Sequence, residues 1–363
     1  MPGSLVLTGI TQEDGALLHA QEGPMQLDMM LLTMDDLAAA GTYARAIEEM
    51  GFAALWTAET QHNPFLPLAV AATTTQQLTL GTAIAVAFPR SPTVLAHLAW
   101  DLQASSHGRF ILGLGTQVRG HNERRFGVTW EAPAKKLREM ILAIRAIWDC
   151  WQHGTPLNFP GEFYRLTLMT PFFSPKPMAY PMPPIYIAGV NPLMCRLAGE
   201  LCQGFHVHPL HSVQYLRQHV LANILQGAAR AGRSRHDVTL VSSVFVITGD
   251  SARELADMRE QVRMQIAFYA STRSYWPVLE AHGWGDVGRQ LNRMAARGDW
   301  QGMARAITDE MLEVYAVTGA PDDIPALLHA RYDGLLDRLA FYVPYRQGEH
   351  EARWRRLAQA FNT

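Results

Sequence analysis

Apolar and polar positions along the chain fall into short units that repeat. The run Met25-Gln26-Leu27-Asp28-Met29-Met30-Leu31 alternates enough to be a strand. Thr33, with Asp36 three residues later, reads as a capping pair ahead of a helix over 34–50 that Gly51 ends. Ala54-Leu55-Trp56-Thr57 is a second short strand, followed by the polar loop 59–64 and a helix over 67–75. Residues 78–84 form a third strand that leaves through Phe88-Pro89-Arg90-Ser91-Pro92 into a helix ending near Ser105, and 110–114 form the fourth. A long helix over 133–153 carries Leu137, Ile141, Ile144, Ile147, Trp148 and Trp151 on one stripe.

The second half continues with interruptions. Residues 154–184 read as a small hairpin (157–159 with 164–166) and a proline-rich crossing. Strands at 185–188, 205–208 and 238–247 alternate with helices at 192–201, 212–231 and 251–269. A largely helical excursion over 271–320 precedes a last strand at 338–343 and a terminal helix at 349–361. Eight strands each followed by a helix, short and continuously apolar, argue for a parallel sheet buried on both faces. A closed (β/α)8 TIM barrel is favoured over an open doubly wound sheet. The expected organisation is a leader over 1–24 and one barrel domain over 25–363, with insertions at 154–184 and 271–320. In a barrel the loops after residues 57, 84, 114, 188, 208, 247 and 343 form the site.

Composition narrows the partners. A chain of 363 residues, 48% hydrophobic, can bury a large core. With 31 basic and 33 acidic residues the net charge is −2, which gives no electrostatic reason to expect nucleic acid or an anionic membrane. No run reaches the length of a membrane span, and the first 24 residues lack a signal-peptide pattern. Cys150, Cys195 and Cys202 are too few and too irregular for a disulfide framework or zinc site, so a cytoplasmic location is expected.

Several residues at strand exits carry candidate chemistry. The stretch Gly113-Leu114-Gly115-Thr116 suits close approach of a ligand to the backbone, or equally a pair of packing glycines. Glu59 is either a functional carboxylate or a helix-cap or ion-pair residue, and His62 lies in the same loop. His206 and His208 alternate on a strand and so share a side, as substrate-pocket residues or as core histidines. No Asp accompanies them at the neighbouring strand exits, so no metal site is expected. Arg90, Arg119, Arg124 and Arg125 suit an anionic group or a solvated face. The excursion, with Tyr275, Trp276, His282 and Trp284, is a lid or substrate pocket, or an oligomer contact.

The order and spacing of Leu55-Trp56-Thr57-Ala58-Glu59, Leu80-Gly81-Thr82, Pro89-Arg90-Ser91-Pro92, Gly108-Arg109-Phe110, Leu112-Gly113-Leu114-Gly115 and Pro184-Ile185-Tyr186-Ile187-Ala188-Gly189 resembles the bacterial-luciferase-like flavin and deazaflavin oxidoreductases over roughly residues 25–250. The resemblance implies a barrel with the coenzyme ring at its C-terminal mouth. It places Ala83-Ile84 where the family has a non-prolyl cis peptide. Gly115, Thr116 and Asn122 fall where relatives hold the ring edge and side chain. Ala188, Gly189, Val190 and Asn191 fall where relatives bind the coenzyme phosphate, which suits a Gly followed by Asn-Pro at a helix start. Where many relatives carry Asp-His, this chain has Glu59 and Thr60, leaving Thr60 beside the coenzyme and His62 as the stand-in for the usual histidine. The implied activity is hydride transfer between reduced coenzyme F420 and a small organic substrate, in a homodimer or other homo-oligomer. The alternatives are a two-component FMN-dependent monooxygenase and a coenzyme-binding protein without turnover.

Overall fold

The computed structural model describes residues 23–32, 34–343 and 345–362. Eight parallel strands close on themselves: β1 (Gln26–Leu31), β2 (Ala54–Thr57), β3 (Thr79–Thr82), β4 (Phe110–Gly115), β5 (Ile185–Gly189), β6 (Gly204–Val207), β7 (Thr239–Ile247) and β8 (Arg338–Phe341). Each pairs with the next, and the ring shuts where Gln26, Leu27 and Asp28 of β1 lie opposite Arg338, Leu339 and Ala340 of β8. This is a (β/α)8 barrel.

Alternation within the strands sorts side chains into two cores. Leu55 and Leu80 face outward into the layer shared with the helices, while Ala54 and Trp56 join Met30, Ile111, Tyr186, Val241 and Ala340 inside the barrel. The interior is pinned by charge. Asp28, 1% exposed, accepts from Trp56 Nε1 at 2.7 Å and from Arg338 Nε and Nη2 at 2.8 and 2.7 Å.

The outer helices are α1 (Ala40–Met50), α2 (Phe65–Thr74), α3 (Pro92–Ser105), α4 (Pro133–His153), α5 (Pro192–Leu201), α6 (Ala222–Arg230), α7 (Ala252–Ala270) and α8 (Glu351–Ala360). Their ends follow local chemistry. Gly51 takes φ +95°, a left-handed cap that frees it to close α1. Ser91, Asn191 and Ser251 each accept a first-turn N–H as N-caps, the first two followed by proline. The stripe expected on α4 is buried throughout. Two boundaries differ from the pattern. A 3₁₀ turn, Leu37–Ala39, precedes α1, capped by Asp36 on Ala38 N at 2.9 Å, while Thr33 lies outside the described residues, as does the leader up to residue 22. Ahead of α6, residues Leu216–Leu221 form a π-helical stretch.

Both insertions are built as units. Glu139 of α4 accepts from the N–H groups of Glu162, Phe163 and Tyr164, tying the Phe159–Pro160/Arg165–Leu166 hairpin down. The excursion after α7 contains helices Trp276–Glu280, Gly285–Ala296, Trp300–Arg305 and Asp309–Tyr315. It ends in a short strand, Ala316–Thr318, that pairs with the last third of β7 beyond its contact with β8. Cys150, Cys195 and Cys202 are buried and unpaired.

Candidate functional site

At the C-terminal end of the barrel, the loop after β2 is wired to its neighbours. Glu59 accepts from Val86 N at 2.6 Å and from Arg90 Nη1 and Nη2 at 2.8 and 2.9 Å, while Arg90 also donates to Val86 O at 2.8 Å. The Glu59 side chain is 9% exposed, so the bidentate pair is largely out of water. Between the two halves of the third strand the Ala83–Ile84 peptide is cis, and Glu59 N donates to Ile84 O at 3.1 Å. Glu59 thus forms the ion pair that was one of the readings open to it, as a latch across the β3 exit with both oxygens hydrogen-bonded. Thr60 Oγ1 donates to Leu32 O at 2.7 Å, and Arg125 donates to Thr60 O at 2.6 Å, which stitches the loops after β1, β2 and β4 together. His62 stands at the rim, half exposed, against Asp35 at 3.2 Å.

The glycines leaving β4 hold protein rather than open space. A Cβ on Gly113 would sit 1.7 Å from Thr82 O, and one on Gly115 would sit 2.6 Å from Ile84 Cδ1. Thr82 Oγ1 in turn donates to Gly113 O at 2.6 Å and accepts from Gly113 N at 2.9 Å. Past Gly115, Asn122 is fully buried. Its Nδ2 donates to Thr116 O and Val118 O at 2.8 and 3.1 Å, and its Oδ1 has no partner among the described residues. A buried acceptor without a donor is costly unless a ligand or water completes it.

At the β5 exit, Gly189 admits Met194, whose Cβ would lie 2.4 Å from a Cβ there. Asn191 Oδ1 accepts from Met194 N at 3.0 Å, and Tyr215 Oη donates to Val190 O at 2.9 Å. With the cap oxygen engaged, the backbone of the first turn, fronted by the exposed Leu193, is what Ala188–Asn191 offers an anion.

His206 of β6 and His208, just past its end, meet different partners. His206 enters the barrel edge-on to Trp56, ring centroids 4.9 Å apart, and tilted on Tyr186. Burial, with Arg338 second, pushes its pKa down to about 3. His208 stacks on Tyr275 at 4.1 Å and meets Tyr269 edge-on at 4.6 Å. Its Nδ1 accepts from Leu210 N, and burial beside His211 brings its pKa to about 3. His211, not singled out by the sequence, is 2% exposed, donates from Nδ1 to His208 O at 2.9 Å, and is lowered by burial to about 4. All three are neutral at ordinary pH.

Beside them, a recess of about 470 Å³ opens between the β1 and β8 exits and α7, lined by Leu32, Met264, Gln265, Phe268, Tyr269, Trp300 and Tyr342. The tyrosine hydroxyls of Tyr269 and Tyr342 bond each other. The excursion's aromatic in this recess is Trp300. Trp276, expected in the substrate pocket, instead packs on the opposing helix, its indole Cδ1 filling the place of a Cβ on Gly288. A second hollow, about 310 Å³ around Trp148, Pro184 and Gln203, lies at the start of β5 and β6, the opposite end of the barrel. Among the described residues no group of three or more His, Cys, Asp or Glu is arranged to hold a metal ion, and no helix is long and apolar enough to cross a membrane.

The profile of the luciferase-like monooxygenase family matches residues 12–338. The chain belongs to the luciferase-like monooxygenase family. It is 47% identical to an uncharacterized protein of Mycobacterium tuberculosis over 84% of this chain and 90% of that one. This luciferase-like chain is also 31% identical to a 5,10-methylenetetrahydromethanopterin reductase of Archaeoglobus fulgidus, over 78% of its own length and 82% of the relative's. Its barrel superposes on the coenzyme F420-dependent tetrahydromethanopterin reductase of Methanopyrus kandleri with a TM-score of 0.74 at 19% identity, covering 93% and 98% of the two chains, a likeness of fold.

Proposed function

We propose that this luciferase-like protein is an oxidoreductase that takes reduced coenzyme F420 across the barrel mouth and passes a hydride to or from a small organic substrate. The observation that carries the reading is the state of the mouth's own titratable groups. Glu59 has both oxygens in the Arg90 pair, and His206, His208 and His211 are held neutral by burial. Side chains so committed suit a reaction whose chemistry arrives with a bound group. A 27% identical relative of Mycobacterium tuberculosis, named as a putative coenzyme F420-dependent oxidoreductase, supports F420 as that group.

When bound, the reduced deazaflavin supplies the hydride. The chain's part is to hold and orient it. The unpartnered Oδ1 of Asn122 is a ready acceptor for a ring N–H, and the backbone at Ala188, Gly189, Val190 and Asn191 is placed for the phosphate. Thr60, Ala83, Ile84, Gly115 and Thr116 form the frame around the ring, kept in register by the Glu59–Arg90 latch. Glu59 is on this reading a positioning residue.

Titration of the purified protein with F420 and with FMN, each reduced, tests the assignment. Tight binding of F420 with FMN bound at least about a hundred-fold more weakly is expected. Binding of FMN alone, with oxygen consumed only when reduced FMN is present, would overturn it in favour of a flavin monooxygenase.

A further inference from the structure

The recess between α7 and the β8 and β1 exits has a chemistry of its own. Met264, Gln265, Phe268 and Tyr269 are spaced i, i+1, i+4, i+5 and so present one face of α7. Opposite stand Leu32, Tyr342 and Trp300, the last on a helix held by the Asp299 cap. Phe268 and Trp300 are 52% and 47% exposed, a large apolar surface left in water at the entrance. Within this apolar lining the carboxamide oxygen of Gln265 is buried and has no hydrogen-bond partner among the described residues. The Tyr269 and Tyr342 hydroxyls satisfy each other. Leu32 ties the recess to the rest of the site, because it packs against the barrel-interior cluster together with Ala83.

We infer that this recess is the substrate-specificity subsite, and that it selects an apolar cyclic or aromatic body carrying one O–H or N–H donor, toward which the Gln265 side chain turns its buried Oε1. A volume of about 470 Å³ suits a two-ring molecule and lies in the range of small-molecule sites. A donor-bearing ligand satisfies the orphaned oxygen, whereas a wholly apolar one of the same shape leaves it buried and unpaired, the asymmetry that makes hydrogen-bonding sites selective. The inference rests on the hydride-transfer reading for what happens to the ligand, but not for its binding.

The test uses the full chain and two probes of nearly one shape, 2-naphthol and 2-methylnaphthalene, whose affinities are measured by calorimetry for the wild type, Gln265→Leu, Gln265→Met and Trp300→Ala. The wild type should bind 2-naphthol about five- to ten-fold more tightly. In both Gln265 variants the ratio should fall to within about two-fold, and Trp300→Ala should weaken both probes roughly ten-fold, with F420 affinity unchanged throughout. Equal affinities in the wild type, a ratio that survives both Gln265 variants, or F420 bound with neither probe bound would overturn the subsite. So would a dimer that Trp300→Glu dissociates and that binds no probe, which would make the Phe268–Trp300 face an interface between copies. The expected ratios without F420 binding would sustain the subsite and remove the coenzyme assignment instead.

Discussion

Replacing Glu59 by Gln separates a latch from a catalytic carboxylate. Glu59 accepts three hydrogen bonds, from Val86 N and both Arg90 terminal nitrogens, in a place where its side chain is 9% exposed and that of Arg90 14%. Glutamine keeps the shape, but its NH₂ must face one of those three donors, so one bond becomes a repulsion and the guanidinium loses its counter-charge. Removing one partner of a fully buried pair costs about 3–5 kcal/mol. Arg90 retains Val86 O and some water, so ~2–3 kcal/mol is expected here. For a domain of this size that is a fall in melting temperature of roughly 3–4 °C. Arg90→Met alone should cost a similar amount, and the double variant little more than either, giving a coupling of about 2 kcal/mol by denaturant unfolding. Coenzyme affinity should drop with stability, because the Val86 N–H that Glu59 holds belongs to the wall at the β3 exit. Turnover lost a hundred-fold or more, with stability and coenzyme affinity untouched, would refute the latch and restore Glu59 as an acid or base.

Other perturbations read the same frame. Gly113→Ala places a methyl 1.7 Å from Thr82 O, backbone that cannot yield, and should cost ~3 kcal/mol or more, whereas Gly115→Ala meets the Cδ1 and Cγ1 of a side chain, Ile84, and should cost about 1–2 kcal/mol; thermal melts of the pair should show the contrast. Asp28→Asn strands the Arg338 charge beside Trp56 and should cost about 3–5 kcal/mol in denaturant unfolding, more than any surface pair such as His62–Asp35. His206, His208 and His211 have folded pKa values of about 3, 3 and 4 against an ordinary 6.5, so each binds its proton more readily unfolded. Their stability contribution is complete above pH 6.5 and is lost as pH falls, at ~1.4 kcal/mol each by pH 5.5. Unfolding measured across pH 5–7 should steepen accordingly, and His206→Gln should flatten the slope by about a third.

Much of this frame was legible in the chain itself. Strand positions followed from continuous apolar runs, because burial on both faces leaves no polar alternation to blur them, and caps such as Asn191-Pro192 and Gly51 act locally. What escaped reading depended on distant partners. Glu59 and Arg90 were both visible as charged residues at strand exits, yet nothing local to either announces a pairing 31 residues apart. The glycines of β4 showed that a side chain was missing without showing that Thr82 and Ile84 fill the gap. In the excursion, Trp276 and Trp300 both sit on short helices, and only the packing on Gly288 decides which indole lies against the neighbouring helix and which is left for the recess. His211 was hidden because its role comes from the His208 carbonyl and a buried environment, not from spacing.

The mouth thus has two walls of different construction. The wall formed by the exits of β1 to β4 is cross-linked by directional bonds: Glu59 with Arg90 and Val86, Thr60 with Leu32, Arg125 with Thr60, and Asn122 within its own loop. Each such bond fixes an angle as well as a distance, and at Glu59 and Asn122 a change of side chain also unpairs a partly buried group. The wall formed by α7, Trp300 and Tyr342 is held mainly by ring contacts, Phe268 with Trp300 at 6.5 Å and Tyr269 with Tyr342 at 5.9 Å, with one hydroxyl–hydroxyl bond between those two tyrosines and the more exposed Arg259–Asp309 pair. Apolar contacts are non-directional and repack at modest cost. A rigid polar wall suits the proposed coenzyme, whose contacts must keep one geometry, and a repackable apolar wall suits the substrate. Substitutions at Phe268 and Trp300 should accordingly change which substrate is taken while leaving coenzyme affinity within about two-fold, and the reverse should hold at Asn122 and Glu59.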